Sequence, residues 1–316
     1  MKSKKLIFDI GVIVIAFLLF TIWYNHCEKD KALTTSTLNH FYKIYLITIT
    51  KDSQYWQYIN EGATDMAAAL GVTYIWEVPT EMTVAKQIEV INNAVNDGAN
   101  AILVAADEPK RISSAIEDAK ARGVKVIYVD SPAYEEAITT LSTDNYAAGV
   151  LAGETMLEEL GKLSINEGAI GIISVENKLN TELRDNGFRE IIEADGRFRL
   201  VDTVYTNGEV INAQAAAERV INENEDLVGL FGANQGTSEG VGMAIRADNN
   251  RIVGVGFDKT DTMLMLLKEG SLKAVMLQNP YTMGYLGMAE AIAAIKGFDT
   301  GPSYLNTGVT VLRSDQ

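Results

Sequence analysis

Five stretches of this chain have the make-up of strands buried on both faces, and each ends in a polar side chain. They are VKVIYVD (Val124–Asp130), AIGIISVEN (Ala169–Asn177), LVGLFGANQ (Leu227–Gln235), IVGVGFD (Ile252–Asp258) and LKAVMLQN (Leu272–Asn279). Unbroken apolar runs of this kind belong to parallel sheets covered by helices on both sides. Ligands of such sheets sit outside the carboxyl ends of the strands. Packing alone does not ask for a carboxylate or amide there, time after time. The pattern predicts a grip on a small polar molecule.

The rest of the chain alternates between the same two kinds of element. KIYLITIT reads as a strand from Lys43, and Ser53 to Leu70 as a helix with Ile59, Ala63, Met66 and Leu70 on one face. VTYIWEV and AILVA are strands; helices follow at Thr83–Asp97 and Lys110–Arg122, stopped by Gly98 and Gly123. After VKVIYVD a short strand, ITTLST, leads to a long helix through Leu160, with Asn145 expected as its N-cap. A second run starts at Ala169, with helices Thr181–Ala194, Val210–Asn222, Ser238–Ala247 and Thr260–Glu269, and LVDTVY as one strand. A last helix covers Tyr281–Lys296. The doubled alternation predicts an α/β protein with two doubly wound parallel sheets.

Charge and residue usage exclude several functions. A formal charge of −15 and a pI near 4.6 offer nucleic acid no basic face. The only histidines, His26 and His40, precede the α/β region, so no histidine-based triad or zinc cluster is expected. GVGMA (Gly240–Ala244) is a weak glycine run inside a helix, and no phosphate loop or calcium loop is evident. No catalysis, metal or cofactor is expected.

The N-terminus carries a separate signal. Lys2, Lys4 and Lys5 precede an apolar run from Leu6 to Tyr24 broken only by Asp9. Its length suits a membrane span, and the leading lysines place that end in the cytoplasm and the rest outside. The exit, Thr21-Ile22-Trp23-Tyr24-Asn25-His26, is too bulky for signal cleavage, which favours a retained single-pass anchor over a signal segment in residues 1–26. Cys27, the only cysteine, leaves a lipid-modified alternative open. Residues 27–39 are polar and read as a juxtamembrane linker.

The motifs, taken in order, resemble the periplasmic sugar-binding proteins of the ribose-binding type, which share their core with lactose-repressor regulators. The resemblance rests on TKDSQYWQYINEGA (Thr50–Ala63), VIYVDSP (Val126–Pro132), LSTDNYAAGVLAGE (Leu141–Glu154), LRDNGFRE (Leu183–Glu190), FGANQ (Phe231–Gln235), VGFD ending at Asp258, and LQNPYTMG (Leu277–Gly284). It implies two lobes joined by three crossovers: residues 40–142 plus 278–306, and residues 143–277 plus 307–316. It implies that Asp130 and Asp258 accept bonds from sugar hydroxyls, that Arg184 donates, and that Asn234 and Gln278 do either. Tyr55 and Trp56 match paired aromatics that sandwich a sugar ring, and Ser53 takes the place of an amide. Ser131 stands where ribose-type members carry arginine, and Ala105-Ala106, with Asp107 nearby, replaces another expected amide.

Each residue also has a plainer reading. Strand-end Asp and Asn cap helices, which suits Asp258, before a helix near Thr260, better than Asp130. Arg184 alone would pass for a solvated helix residue. Tyr55 and Trp56 are adjacent, and adjacent residues are not expected to face one core. Tyr42, Tyr45 and Tyr74 are read as core. The resemblance implies an extracytoplasmic receptor, held to the cell membrane by its first helix, that closes on a pentose or hexose. Its partner would be the permease of an ABC importer or a membrane histidine kinase.

Overall fold

Strand and helix alternate from Lys43, and the strands sort into two sheets. The structure is a computed structural model that describes residues 20–24 and 42–313. In chain order the first elements are β1 (Lys43–Ile47), α1 (Gln54–Leu70), β2 (Thr73–Glu77), α2 (Val84–Asn96), β3 (Ala101–Val104), α3 (Pro109–Ala121), β4 (Lys125–Val129) and β5 (Thr140–Ser142). Next come α4 (Asn145–Lys162), β6 (Gly168–Val175), α5 (Leu179–Asp195), β7 (Phe198–Leu200), β8 (Val204–Thr206), α6 (Val210–Glu223) and β9 (Leu227–Gly232). The chain ends through α7 (Gln235–Ala247), β10 (Val253–Phe257), α8 (Asp261–Lys268), β11 (Ala274–Gln278), α9 (Pro280–Ile295), β12 (Tyr304–Asn306) and β13 (Val309–Arg313).

The first sheet runs β12-β5-β4-β3-β1-β2 and the second β13-β11-β10-β9-β6-β7, with β8 also on β6. Each order reverses beside its first strand, which marks a switch point where the following loops diverge and leave a crevice. All pairings are parallel except that of β11 with β13. Alternate residues of β1 divide between the two faces: Ile44 and Leu46 join one buried cluster, Tyr45 and Ile47 another. The second sheet is likewise covered on both sides. Apolar interiors therefore follow from helices on both faces.

Some local expectations change. LVDTVY is not one strand: β7 pairs with Gly168–Ile170, while β8 pairs further along at Ile173–Val175. The break accompanies side-chain bonds there: Thr203 Oγ1 donates to Asp185 Oδ2 at 3.1 Å, and Arg189 bonds both Asp185 and Thr203. Asp144, not Asn145, caps α4, accepting from Ala147 N at 3.0 Å. Of the proposed membrane segment only residues 20–24 are described, and these are helical. The rest of it, and linker 27–39, lie outside the described residues; no helix among those described is long and apolar enough to cross a membrane.

The chain passes between the sheets after β5, after β11 and after β12, and hydrogen bonds tie the three crossings together. Thr307 N donates to Ser142 O at 2.8 Å, Asp144 N to Asn306 Oδ1 at 3.1 Å, and Asn279 Nδ2 to Thr307 O at 2.7 Å. Gln278 belongs to the second sheet, paired with Val309, so the middle crossing falls at Asn279. Short, mutually bonded strands of this kind suit a hinge that bends without losing register.

Helices α4 and α5 meet at glycine. A β-carbon on Gly149 would stand 2.1 Å from Arg184 O, and one on Gly187 would stand 2.3 Å from Tyr146 O. The close approach seats α5, and Arg184 with it. Gly149→Ala should lower stability by about 1–3 kcal/mol through overpacking. It should also displace Arg184, whose backbone the added methyl meets. Urea denaturation checks the first effect, and an unchanged midpoint would mean that the helices yield freely.

Candidate ligand-binding site

Two carboxylates end central strands of opposite sheets in the same unusual conformation. Asp130 follows β4 with φ 66° and Asp258 follows β10 with φ 74°. Left-handed backbone costs a residue with a β-carbon roughly 1–2 kcal/mol, least for Asp and Asn. Both still hold ladder bonds: Asp130 N donates to Leu141 O at 2.8 Å and Asp258 N to Met276 O at 2.9 Å. The turn aims each side chain off the strand end. Neither caps a helix; Thr260 caps α8, accepting from Met263 N at 3.1 Å.

Both carboxylates are buried, at 6% and 7% exposure. Asp130 Oδ1 accepts from Tyr55 Oη at 2.6 Å, and its Oδ2 from Asn180 Nδ2 at 3.0 Å. Asp258 Oδ1 accepts from Gln278 Nε2 at 2.7 Å, with a further bond from the backbone of Gln235. Gln278 is 9% exposed, and its Oε1 has no hydrogen-bond partner among the described residues. Buried acceptors are ordinarily hydrogen-bonded, so this oxygen is free to take a donor.

Arg184 is 2% exposed. Its Nε donates to Asn145 Oδ1 at 2.8 Å, its Nη1 to Ala233 O at 2.9 Å, and the guanidinium lies 4.1 Å from the ring centre of Phe257. Phe257 abuts Phe231, which stacks on Phe188, so the cation rests on an aromatic stack running into the core. The reading of Arg184 as a solvated residue is excluded. Asn145, expected as a cap, instead orients the guanidinium while donating to Thr143 O at 3.0 Å beside the first crossing.

The other predicted residues divide. Ser53 Oγ donates to Gln235 Oε1 at 2.9 Å across the cleft. Asn234 caps α7 through a capping box, its Oδ1 accepting from Thr237 N at 3.0 Å, so the plainer reading holds for that oxygen. Tyr55 and Trp56 both pack on the same core cluster, against the expectation that neighbours cannot. Their rings meet edge to face, 5.1 Å apart and 80° inclined, because Tyr55 turns inward to reach Asp130 while Trp56 lies beside it. They are not parallel plates. Tyr45 is core as expected, and Tyr74 packs against the core half-buried, as does Trp76.

Three residues escaped the sequence reading. Asn180 and Lys178, at the start of α5, reach Asp130 and Asp107 in the first lobe. Gln235 sits inside the FGANQ motif, which was its signal. Asn180 had none, since its position matters only once the lobes face each other.

With this geometry in hand, comparison with known proteins is informative. A periplasmic binding protein domain is matched over residues 44–299. The chain belongs to that family. The ribose import binding protein of Haemophilus influenzae is 24% identical over 255 residues, covering 80% of this chain and 86% of that protein. An ABC transporter solute binding protein from Agrobacterium vitis, solved with bound D-fucose, superposes with TM-score 0.80 at 29% identity, over 86% of this chain and 96% of that one. A carbohydrate transporter solute binding protein from Agrobacterium radiobacter, in complex with D-arabinose, gives 0.82 at 27% identity, over 86% and 94%. The ribose-type resemblance and the two-lobed α/β fold therefore stand. The family places its binding domain outside the cytoplasm, and these relatives are binding proteins of transport systems rather than enzymes.

Burial raises the pKa of Asp130 and of Asp258 above the ordinary carboxylate value, although Arg184 pulls both down. It also lifts the Tyr55 hydroxyl, with the Asp130 and Asp258 charges adding to the shift. Between the ordinary value of 3.8 and the raised native values, the folded chain holds more protons than the unfolded one. The stability that these groups supply therefore falls as pH rises through that window, and stays lost above it. Asp258→Asn keeps an acceptor, tolerates left-handed backbone and removes the buried charge. The ligand-free variant should unfold at higher urea than wild type near about pH 8, with the gap closing toward about pH 4. Equal midpoints at both would show that burying the charge costs nothing.

Proposed function

We propose that this protein is an extracytoplasmic receptor that closes on one small sugar, a pentose or hexose, and delivers it to the permease of an ABC importer. The observation that carries the reading is the convergence of Asp130 and Asp258, from opposite lobes, on the charge of Arg184 in a buried cleft. A sugar presents many hydroxyls on a small neutral frame. Carboxylates accept from hydroxyls, and a guanidinium donates to ring or hydroxyl oxygens; such charge-assisted bonds are stronger than neutral ones. Gln278 Oε1 would take one more hydroxyl. Trp56 offers an apolar face for the C–H edge of the ring. Neither lobe completes the set alone, so the ligand favours closure by its differential affinity.

The relatives' printed roles support the importer arm rather than a histidine kinase. Lys2, Lys4, Lys5 and the apolar run to Tyr24 support a membrane anchor that holds the receptor at the outer face. Ser131, in place of the ribose type's arginine, and Ala105-Ala106, in place of its amide, support a sugar other than ribose.

A thermal-shift screen of aldopentoses, ketopentoses, hexoses and their deoxy forms tests the ligand class. A cognate sugar at a thousandfold excess over Kd stabilises by about 4 kcal/mol. With that sugar, Asp258→Ala or Asp130→Ala should cost roughly 1.5–3 kcal/mol of binding, tenfold or more in affinity, with the fold intact. Calorimetry showing wild-type affinity in the Asp258 variant would refute the site. Intact-mass analysis of membrane-extracted protein should show an uncleaved N-terminus; a mature chain starting at Cys27 with acyl groups would replace the anchor by a lipid.

A further inference from the structure

Lys178 stands just before α5 in the second lobe, and its ammonium pairs with the carboxylate of Asp107 in the first. It also donates to Asp107 O at 3.1 Å. Asp107 is 8% exposed and firmly braced. Fully buried Gln87 accepts from Asp107 N at 2.9 Å and donates to Ala105 O at 2.8 Å. The Lys178 side chain is 37% exposed, so the pair sits at the rim of the cleft, within reach of salt.

Every other ion pair among the described residues lies within one lobe. The remaining cross-cleft bonds, Asn180 to Asp130 and Ser53 to Gln235, do not join opposite charges, and the attraction between Arg184 and Asp130 is buried, away from the rim where salt reaches Lys178. We propose that Lys178 and Asp107 form an ionic latch between the lobes, which makes closure, and hence affinity for an uncharged ligand, depend on ionic strength. The physical ground is simple. Opening the lobes separates the pair, so its free energy enters the open–closed equilibrium. A ligand that needs the closed form binds with an apparent affinity scaled by the closed fraction. A neutral sugar has no charge of its own for salt to screen, so any salt dependence reports on the protein. The affinity clause rests on the sugar-binding reading; the latch itself does not.

The test therefore uses the ligand-free protein. Spin labels go on exposed positions of each lobe, Glu117→Cys on α3 and Ala215→Cys on α6, in a Cys27→Ser full chain. Interlobe distances are measured by electron–electron double resonance from about 0.05 M to about 1 M NaCl, where the screening length falls from over about 10 Å to about 3 Å. Wild type should lose its short-distance population as salt rises. Lys178→Met should show a closed-to-open ratio about twofold to fivefold lower at low salt, and a weaker response to salt than wild type. Lys178→Arg, which keeps the charge, should retain the response and excludes a folding defect as the cause. Identical distributions for wild type and Lys178→Met at low salt, or equal salt responses, would overturn the latch. Failure of every sugar to bind would sink the functional reading and leave this measurement able to decide.

Discussion

A permanently charged guanidinium, almost wholly removed from water, organises this site. Burying the charge of Arg184 has to be offset by hydrogen bonds and nearby negative charge. Asn145 and Ala233 O supply the bonds, Phe257 a polarisable face, and Asp130 and Asp258 the charge. Those requirements reach far into the fold. The glycine contact between α4 and α5 seats the arginine, and the aromatic stack beneath it is core to the second lobe.

The cost of this arrangement falls on the protein without its ligand. Two carboxylates are held in dry surroundings and in left-handed backbone, and a buried amide oxygen goes unpaired. Each is locally unfavourable, and together they mark a place built for something other than stability. The polyhydroxyl ligand proposed above would bring donors to both carboxylates and to the amide oxygen at once. Protein groups answer part of the demand: Tyr55 and Asn180 already bond Asp130. A carboxylate has room for further donors, so those bonds orient Asp130 without exhausting it.

The sheet architecture was legible because burial on both faces leaves a plain mark in the residues. Strands such as Ile252–Asp258 are apolar throughout and end abruptly in a polar group, whatever packs around them. Glycine stops at Gly98 and Gly123 and the periodicity of Ile59, Ala63, Met66 and Leu70 placed the helices for equally local reasons. The reading faltered where long-range contacts override local preference. LVDTVY has the composition of one strand, but it divides in two where Thr203 turns to bond Asp185. Asn145 has the composition of a cap, but the neighbouring Asp144 takes that place and frees it to hold Arg184.

By itself, then, the sequence determined the class of fold and the strand ends at which polar groups gather, Asp130 and Asp258 among them. Propensity, periodicity and charge are properties of short stretches, and short stretches carry them. Tertiary structure alone decided that Asp130 and Asp258 face the same cation, that Tyr55 spends its hydroxyl inside the protein, and that Lys178 and Asn180 reach across to the other lobe. These facts join residues dozens of positions apart. They depend on the three crossings that bring the carboxyl ends of two separate sheets face to face, and no local pattern encodes that distance.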